Sequence, residues 1–112
     1  IAESTIELYQ CKLMVMHAAY KIDRKEDFRA EVSMAKHFVA NSLNRIIDRA
    51  IQVHGALGYS KDTPLADMFL HARWARFADG ADEIHQMRIA QRTIAAWTRG
   101  GSTRVATGDL PI

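Results

Sequence analysis

Two short stretches hold the residues with chemistry to offer: Asp79-Gly80-Ala81-Asp82-Glu83-Ile84 and Gln52-Val53-His54-Gly55-Ala56-Leu57-Gly58-Tyr59. A carboxylate at a helix junction can serve as a general base when it reaches a substrate proton and burial tunes its pKa. Phe77 and Ala78 precede Asp79, so apolar walls are expected beside it. The same residue also reads as a helix N-cap, with Asp82 three positions on in the manner of a capping box. Local sequence alone favours the cap. Gln52 reads either as an exposed polar residue or as an amide that donates and accepts at a cofactor's polar edge. Gly55 and Gly58 read as helix-stop glycines, or as places where a ligand approaches the backbone closely.

The remaining candidates are weaker. The five histidines, His17, His37, His54, His71 and His85, show no His-Glu-x-x-His spacing. Asp67 with His71, and Asp82 with His85, have helical pair spacing. A di-metal bundle needs Glu-x-x-His on two helices, and that repeat is absent. No metal site is expected. Cys11 lies among apolar positions and reads as a small buried side chain.

The elements that must position these residues are helices. Ile6, Leu13, Met16 and Tyr20 recur at helical steps over residues 3–22, with Ser4 or Thr5 as cap. Arg24 to Asp27 is a charged break. Residues 28–54 carry Ala35, Phe38, Val39, Ser42, Leu43, Ile46, Ile47 and Ile51 on one stripe, with Asp27 as cap. Gly55 and Gly58 stop that helix. Thr63-Pro64 starts the next, Thr as cap and Pro at the first helical position. Leu65, Met68, Phe69 and Ala72 line it, and Leu70, Trp74 and Phe77 lie off that line, which suggests burial on two sides. Asp79-Gly80 breaks it after about four turns. The last helix runs from about Ala81 to Arg99. Residues 101–112 lack periodicity and read as an irregular tail. No strand-like alternation is present. The expected fold is all-α: four helices over residues 1–100 in a mostly antiparallel, up-down bundle.

Bulk properties narrow the function. At 112 residues the chain is one domain at most. With 48% hydrophobic and 25% charged residues it has ordinary globular composition. A net charge of +2 and scattered basic residues give no nucleic-acid footprint. One cysteine excludes an internal disulfide and fits a reducing compartment. No apolar run approaches the ~18 residues of a membrane span, and no signal peptide is visible. The chain opens without Met inside helix-like sequence, so a piece of a longer protein, or a processed product, is expected.

The two stretches and their separation resemble the C-terminal helical domain of the acyl-CoA dehydrogenase superfamily, over about residues 3–98. In that family the long helix ends in glutamine, an aliphatic, a usually aromatic residue, two glycines, a variable residue, glycine and an aromatic. Gln52 through Tyr59 match, with Ala56 in place of the second glycine. Pro64 matches the Pro-started helix, and Ala72-Arg73 an alanine-basic pair. Asp79 through Ile84 stand where many members carry glutamate, glycine, threonine, a variable residue, a polar residue and isoleucine. Gln91 stands where many have arginine.

The resemblance implies that Asp79 removes the α-proton of an acyl-CoA thioester while the β-hydrogen leaves as hydride to the N5 of FAD. It places Gly80 by the thioester, Gln52, Val53, His54, Gly55 and Ala56 at the adenosine-pyrophosphate end of FAD, and Ala81, Asp82 and Glu83 near FAD at the start of the last helix. A helix N-terminus there favours phosphate oxygens. Asp in place of Glu shortens the reach by about one methylene. It resembles the branch fused to kinase-like domains in animals, and also nitroalkane oxidases. Ala81 lacks the threonine hydroxyl.

The family further implies a homo-oligomer (dimer or tetramer) and an electron-transfer flavoprotein as acceptor. The implied compartment is cytoplasmic in a bacterium or the mitochondrial matrix in a eukaryote. Its N-terminal and middle domains are absent here, so the isolated chain is expected to be inactive. The rival reading is a non-catalytic helical assembly module.

Overall fold

The computed structural model describes residues 1–100. They form five helices: α1 (Ala2–Asp23), α2 (Arg29–His54), α3 (Ala56–Tyr59), α4 (Leu65–Trp74) and α5 (Asp82–Gly100). No strand occurs among the described residues. The expected irregular tail, 101–112, lies outside them. The all-α expectation and the approximate helix positions hold.

Several ends differ from the sequence reading. α1 begins before Ser4 and Thr5, so neither caps it; Thr5 Oγ1 instead donates back to the Ile1 carbonyl at 3.1 Å. Asp27 Oδ1 accepts the Arg29 N–H at 3.2 Å, one residue outside the first position of α2. Thr63 does not cap α4. Its hydroxyl donates to the Leu57 carbonyl at 3.3 Å, and Pro64 is the cap residue. α4 is ten residues long rather than four turns, because residues 75–79 leave helical geometry for turns.

Gly55 ends α2 with φ +58°, as a helix-stop glycine does. Gly58 is not a stop. It lies inside the one-turn helix α3, buried, where a Cβ would meet the Ile51 carbonyl oxygen at 2.7 Å. It is glycine because α3 folds back onto the last turn of α2.

α2 is the common partner of α1, α3, α4 and α5. Ion pairs fix the α1 register: Lys21 with Glu31 at 2.7 Å, and Arg49 with Glu7 at 2.7 Å. Numbers rise along α1 as they fall along α2, so the two are antiparallel. On the other side Asn44 Nδ2 donates to the Ala72 carbonyl at 2.7 Å and Arg92 pairs with Asp27 at 2.8 Å. α4 and α5 therefore both run antiparallel to α2, one after the other along the same track. The break between them falls at the level of Lys36 to Asn41.

The buried apolar residues are Cys11, Ala18, Ala30, Ala35, Ala40, Ile47 and Ala72. Alanines let the helix backbones approach closely, but they bury little area. The second buried face expected for α4 is not formed among the described residues: Leu70 is 69%, Trp74 59% and Phe77 54% exposed.

Candidate active site

The break between α4 and α5 is held from several sides. The Phe77 and Ala78 N–H groups both donate to the Trp74 carbonyl at 3.1 Å, and the Asp82 N–H donates to the Arg76 carbonyl at 3.0 Å. Between them the chain turns through two positive-φ residues, Asp79 (φ +54°) and Gly80 (φ +106°). Glycine is required at 80 for two reasons. The backbone conformation disfavours a Cβ, and one built there would lie 2.9 Å from His85 Nε2. Lys36 reaches across from α2 and donates to the carbonyls of Ala75 (2.9 Å) and Gly80 (2.7 Å).

Asp79 is exposed, and no hydrogen bond or ion pair to its carboxylate is found among the described residues. α5 begins at Asp82. The capping role that local sequence favoured is therefore not made. Asp79 instead stands at the lip of a cleft of about 260 Å³, lined by Lys36, Val39, Leu43, Trp74 and Ala78. This supplies the apolar wall expected from the sequence, though Trp74, Val39 and Leu43 build it in place of Phe77.

Asp82 does something else. It is 3% exposed, and its Oδ2 accepts from Arg76 Nε at 2.7 Å and Asn41 Nδ2 at 3.0 Å. His37 Nδ1 stands 3.4 Å from Oδ1, a contact that is electrostatic rather than a good hydrogen bond. Burial alone pushes this carboxyl up. The Arg76 and Asn41 hydrogen bonds, with the charges of Arg76 and His37, outweigh it and hold the pKa below its usual value. The side chain is thus spent inside the chain. With its N–H already bonded to Arg76, and Glu83 beside it, the start of α5 is poorly suited to a phosphate. What it leaves accessible is the Ala81–Glu83 edge.

His85 is buried under the turn at 4% exposure, and neither ring nitrogen has a hydrogen-bond partner. Burial first, then the Lys36 charge, lowers its pKa. The Asp79 backbone pulls the other way without reaching hydrogen-bond geometry, and Arg88 and His37 add to the lowering.

Gln52, Val53, His54, Gly55 and Ala56 sit together and exposed at the C-terminal end of α2. His54 Nδ1 is tied to the Ala50 carbonyl at 2.8 Å. A Cβ at Gly55 would meet nothing within 4 Å, so the backbone there is open to a ligand. These residues fit contact with the polar end of a dinucleotide. They are not beside Asp79. Asn41, which touches Asp82, precedes Gln52 by 52 − 41 = 11 residues, about 16 Å along the α2 axis.

The sequence reading missed Lys36, Asn41 and Arg76, and it weighed His37 and His85 only as metal ligands. The one signal available was the presence of Lys36, Asn41 and Asn44 within an otherwise apolar helix. They resemble a solvated face until α4 and α5 are laid on it.

The pattern of the family described as acyl-CoA dehydrogenase, C-terminal domain, matches residues 1–94. Acyl-CoA dehydrogenase family member 10 of Mus musculus is 42% identical over 101 residues, 88% of this chain and 9% of that protein. The (R)-benzylsuccinyl-CoA dehydrogenase of Thauera aromatica is 40% identical over 95 residues, 84% of this chain and 23% of its own length. A solved structure assigned to the acyl-CoA dehydrogenases, from Mycobacterium abscessus, superposes with a TM-score of 0.82 at 38% identity, covering 86% of this chain and 24% of that one. The chain thus spans about a tenth to a quarter of the length of the relatives it matches. Its helices and its sequence agree on one assignment: the chain belongs to the acyl-CoA dehydrogenase C-terminal domain family.

Proposed function

We propose that this chain is the base-bearing helical domain of an FAD-dependent acyl-CoA dehydrogenase, and that Asp79 takes the α-proton of the thioester. One observation carries the reading. Of the three carboxylates in its stretch, only that of Asp79 stands on a fixed turn at the mouth of an apolar cleft, and it has no partner among the described residues. Asp82 is engaged with Arg76, and Glu83 points from the first turn of α5 into solvent. FAD, when bound, supplies the oxidant that accepts the β-hydride. The chain's own part is to hold the carboxylate, admit the acyl group against Trp74, Leu43 and Val39, and keep Gly80 free of a side chain beside the thioester. The α-carbon's proton passes to Asp79, which becomes a neutral acid. Gln52 through Ala56 would meet FAD at its adenosine-pyrophosphate end. Ala81 and Glu83 would meet it at the start of α5, with Asp82 positioning that turn from beneath.

The test is Asp79→Asn in the FAD-loaded protein that carries this domain. Asn keeps the size and the polarity. Anaerobic flavin bleaching by acyl-CoA is expected to slow by at least ~10²–10⁴-fold, the usual loss with a general base. Unimpaired bleaching would remove Asp79 and leave Glu83 as the next carboxylate. A nitroalkane substrate would call on the same base, so bleaching by nitroalkanes but not by acyl-CoA moves the assignment to that branch. An electron-transfer flavoprotein as acceptor, and a bacterial cytoplasmic or mitochondrial-matrix setting, belong to this proposal. No described helix is long and apolar enough to cross a membrane.

A second reading is favoured by a separate observation. α1 exposes Ile6, Leu8, Tyr9, Leu13, Met16 and Tyr20, each about half exposed or more. Such faces mark surfaces that other protein covers. The domain would then also serve assembly into a homo-oligomer, whether or not it is catalytic.

A further inference from the structure

Asp79 cannot hold its own place. It has φ +54°, a left-handed conformation that Asp visits more often than most residues but still as a minority state, and Gly80 after it has φ +106°. Its side chain makes no bond among the described residues that would anchor it. α4 has already ended at Trp74, so the carbonyls that follow have lost their helical partners. The Asp82 N–H and the Arg76–Asp82 ion pair tie down the Arg76 part of the Ala75–Gly80 segment, but among the described residues the Ala75 and Gly80 carbonyls at its two ends accept no backbone N–H.

Lys36 spans it. A single ammonium donates to the Ala75 carbonyl at 2.9 Å and to the Gly80 carbonyl at 2.7 Å, the first and the last but one residue of the connection. The lysine stands on α2, the longest and most widely packed helix, so the turn is referred to the rigid part of the fold. A cation beside the carbonyls that close α4 also suits the negative end of that helix. From below, the His85 ring closes against Gly80. The ammonium grips backbone, and no Lys36–Asp79 ion pair occurs among the described residues. A direct pair would stabilise the carboxylate and weaken it as a base. Gripping the carbonyls fixes the turn and leaves the carboxylate free.

We propose that Lys36 is a positioning residue for the proton abstraction: it clamps the Asp79–Gly80 turn through the Ala75 and Gly80 carbonyls and so aims the Asp79 carboxylate into the Trp74 cleft. The proposal rests on the reading of Asp79 as base.

The experiment compares Lys36→Met, Lys36→Arg and Asp79→Asn in the FAD-loaded protein that carries this domain. Met fills the space without donors, and Arg keeps the charge and the donors. Anaerobic flavin reduction by Lys36→Met should fall about 10²-fold, as for a reacting group displaced by an ångström, with KM little changed. The isotope effect on an α-deuterated substrate should rise, and Lys36→Arg should recover most of the rate.

A second readout needs no chemistry. Backbone hydrogen exchange across residues 75–84 should quicken about tenfold in Lys36→Met, with residues 40–54 of α2 unchanged. Wild-type reduction rates in Lys36→Met, or unchanged exchange across the turn, would overturn the clamp. So would a rate loss explained wholly by lost FAD, with the loaded fraction reacting normally. If Asp79→Asn reduces flavin normally, it is the base reading that fails, and the exchange measurement still decides whether Lys36 holds the turn. Should Lys36→Met not fold, Lys36→Gln, with one donor retained, carries the same comparison.

Discussion

Asp82 and His85 lie a turn apart beneath the Asp79–Gly80 turn and treat charge in opposite ways. Asp82 is held ionised by Arg76 and Asn41, while burial and the Lys36 charge keep His85 neutral. Both folded-state pKa values are lowered, so both contribute stability that is complete above the unfolded values, roughly 3.9 for Asp and 6.5 for His. That stability is lost as pH falls. The His85 share should fade from about pH 6.5 downward, and the Asp82 share only below about pH 4. Thermal midpoints between pH 7 and pH 5 should therefore drop, and His85→Gln should flatten the drop; an unchanged slope would count against it. Asp82→Asn leaves the part-exposed Arg76 without its partner. It should lower stability by about 2–3 kcal/mol in urea titration, at the low end for breaking a buried pair. The sequence made Asp79 and its neighbours legible because they are contiguous. It could not separate Asp79 from Asp82, two acids three residues apart, because what distinguishes them is which one Arg76 folds onto and the approach of Asn41 and His37 from some forty residues away.

At the level of elements, helices and their stops were readable from period and from Gly and Pro. Their last turns were not. Thr63-Pro64 has the letters of a cap, but the Thr63 hydroxyl goes to Leu57, since α3 brings that carbonyl within reach. The direction of α5 was also hidden. Alternation predicts reversal at every loop, whereas the Asp79–Gly80 break carries the chain on along α2 in α4's direction. The two glycines after α2 separate two mechanisms that sequence merges. Gly58→Ala would drive a methyl against the Ile51 carbonyl at 2.7 Å, where backbone must give, and should destabilise by about 1–3 kcal/mol. Gly55→Ala meets no atom but forces φ +58° with ψ −141° on an alanine, about 1–3 kcal/mol for so sparsely populated a conformation. Only Gly55→Ala alters an open backbone surface beside Gln52. It should therefore weaken FAD retention more than stability, and Gly58→Ala the reverse. Paired melting and flavin-release measurements distinguish them, and matching effects on both would refute the division.

For the whole molecule, the core and the surface are unbalanced. Among the described residues seven small or medium apolar side chains are buried, while Leu13, Met16, Tyr20, Leu70, Trp74, Phe77, Ile94 and Trp97 are about half exposed or more. Alanine-lined helix contacts stabilise α2 against its neighbours, yet the larger apolar area still faces outward. That area seeks cover in other domains or other copies. The two segments expected at FAD lie about 16 Å apart along α2. The 112-residue chain by itself should accordingly be strongly helical by circular dichroism and should self-associate. It should also bind FAD weakly, because few of the ligand's contacts come from one exposed helix end and one helix start. Light scattering over a concentration series and a flavin fluorescence titration on the same sample test this together. A strictly monomeric species at high concentration would mean that the exposed faces do not drive association. Tight one-to-one FAD binding would mean that α2 and α5 already form a complete site, contrary to their separation.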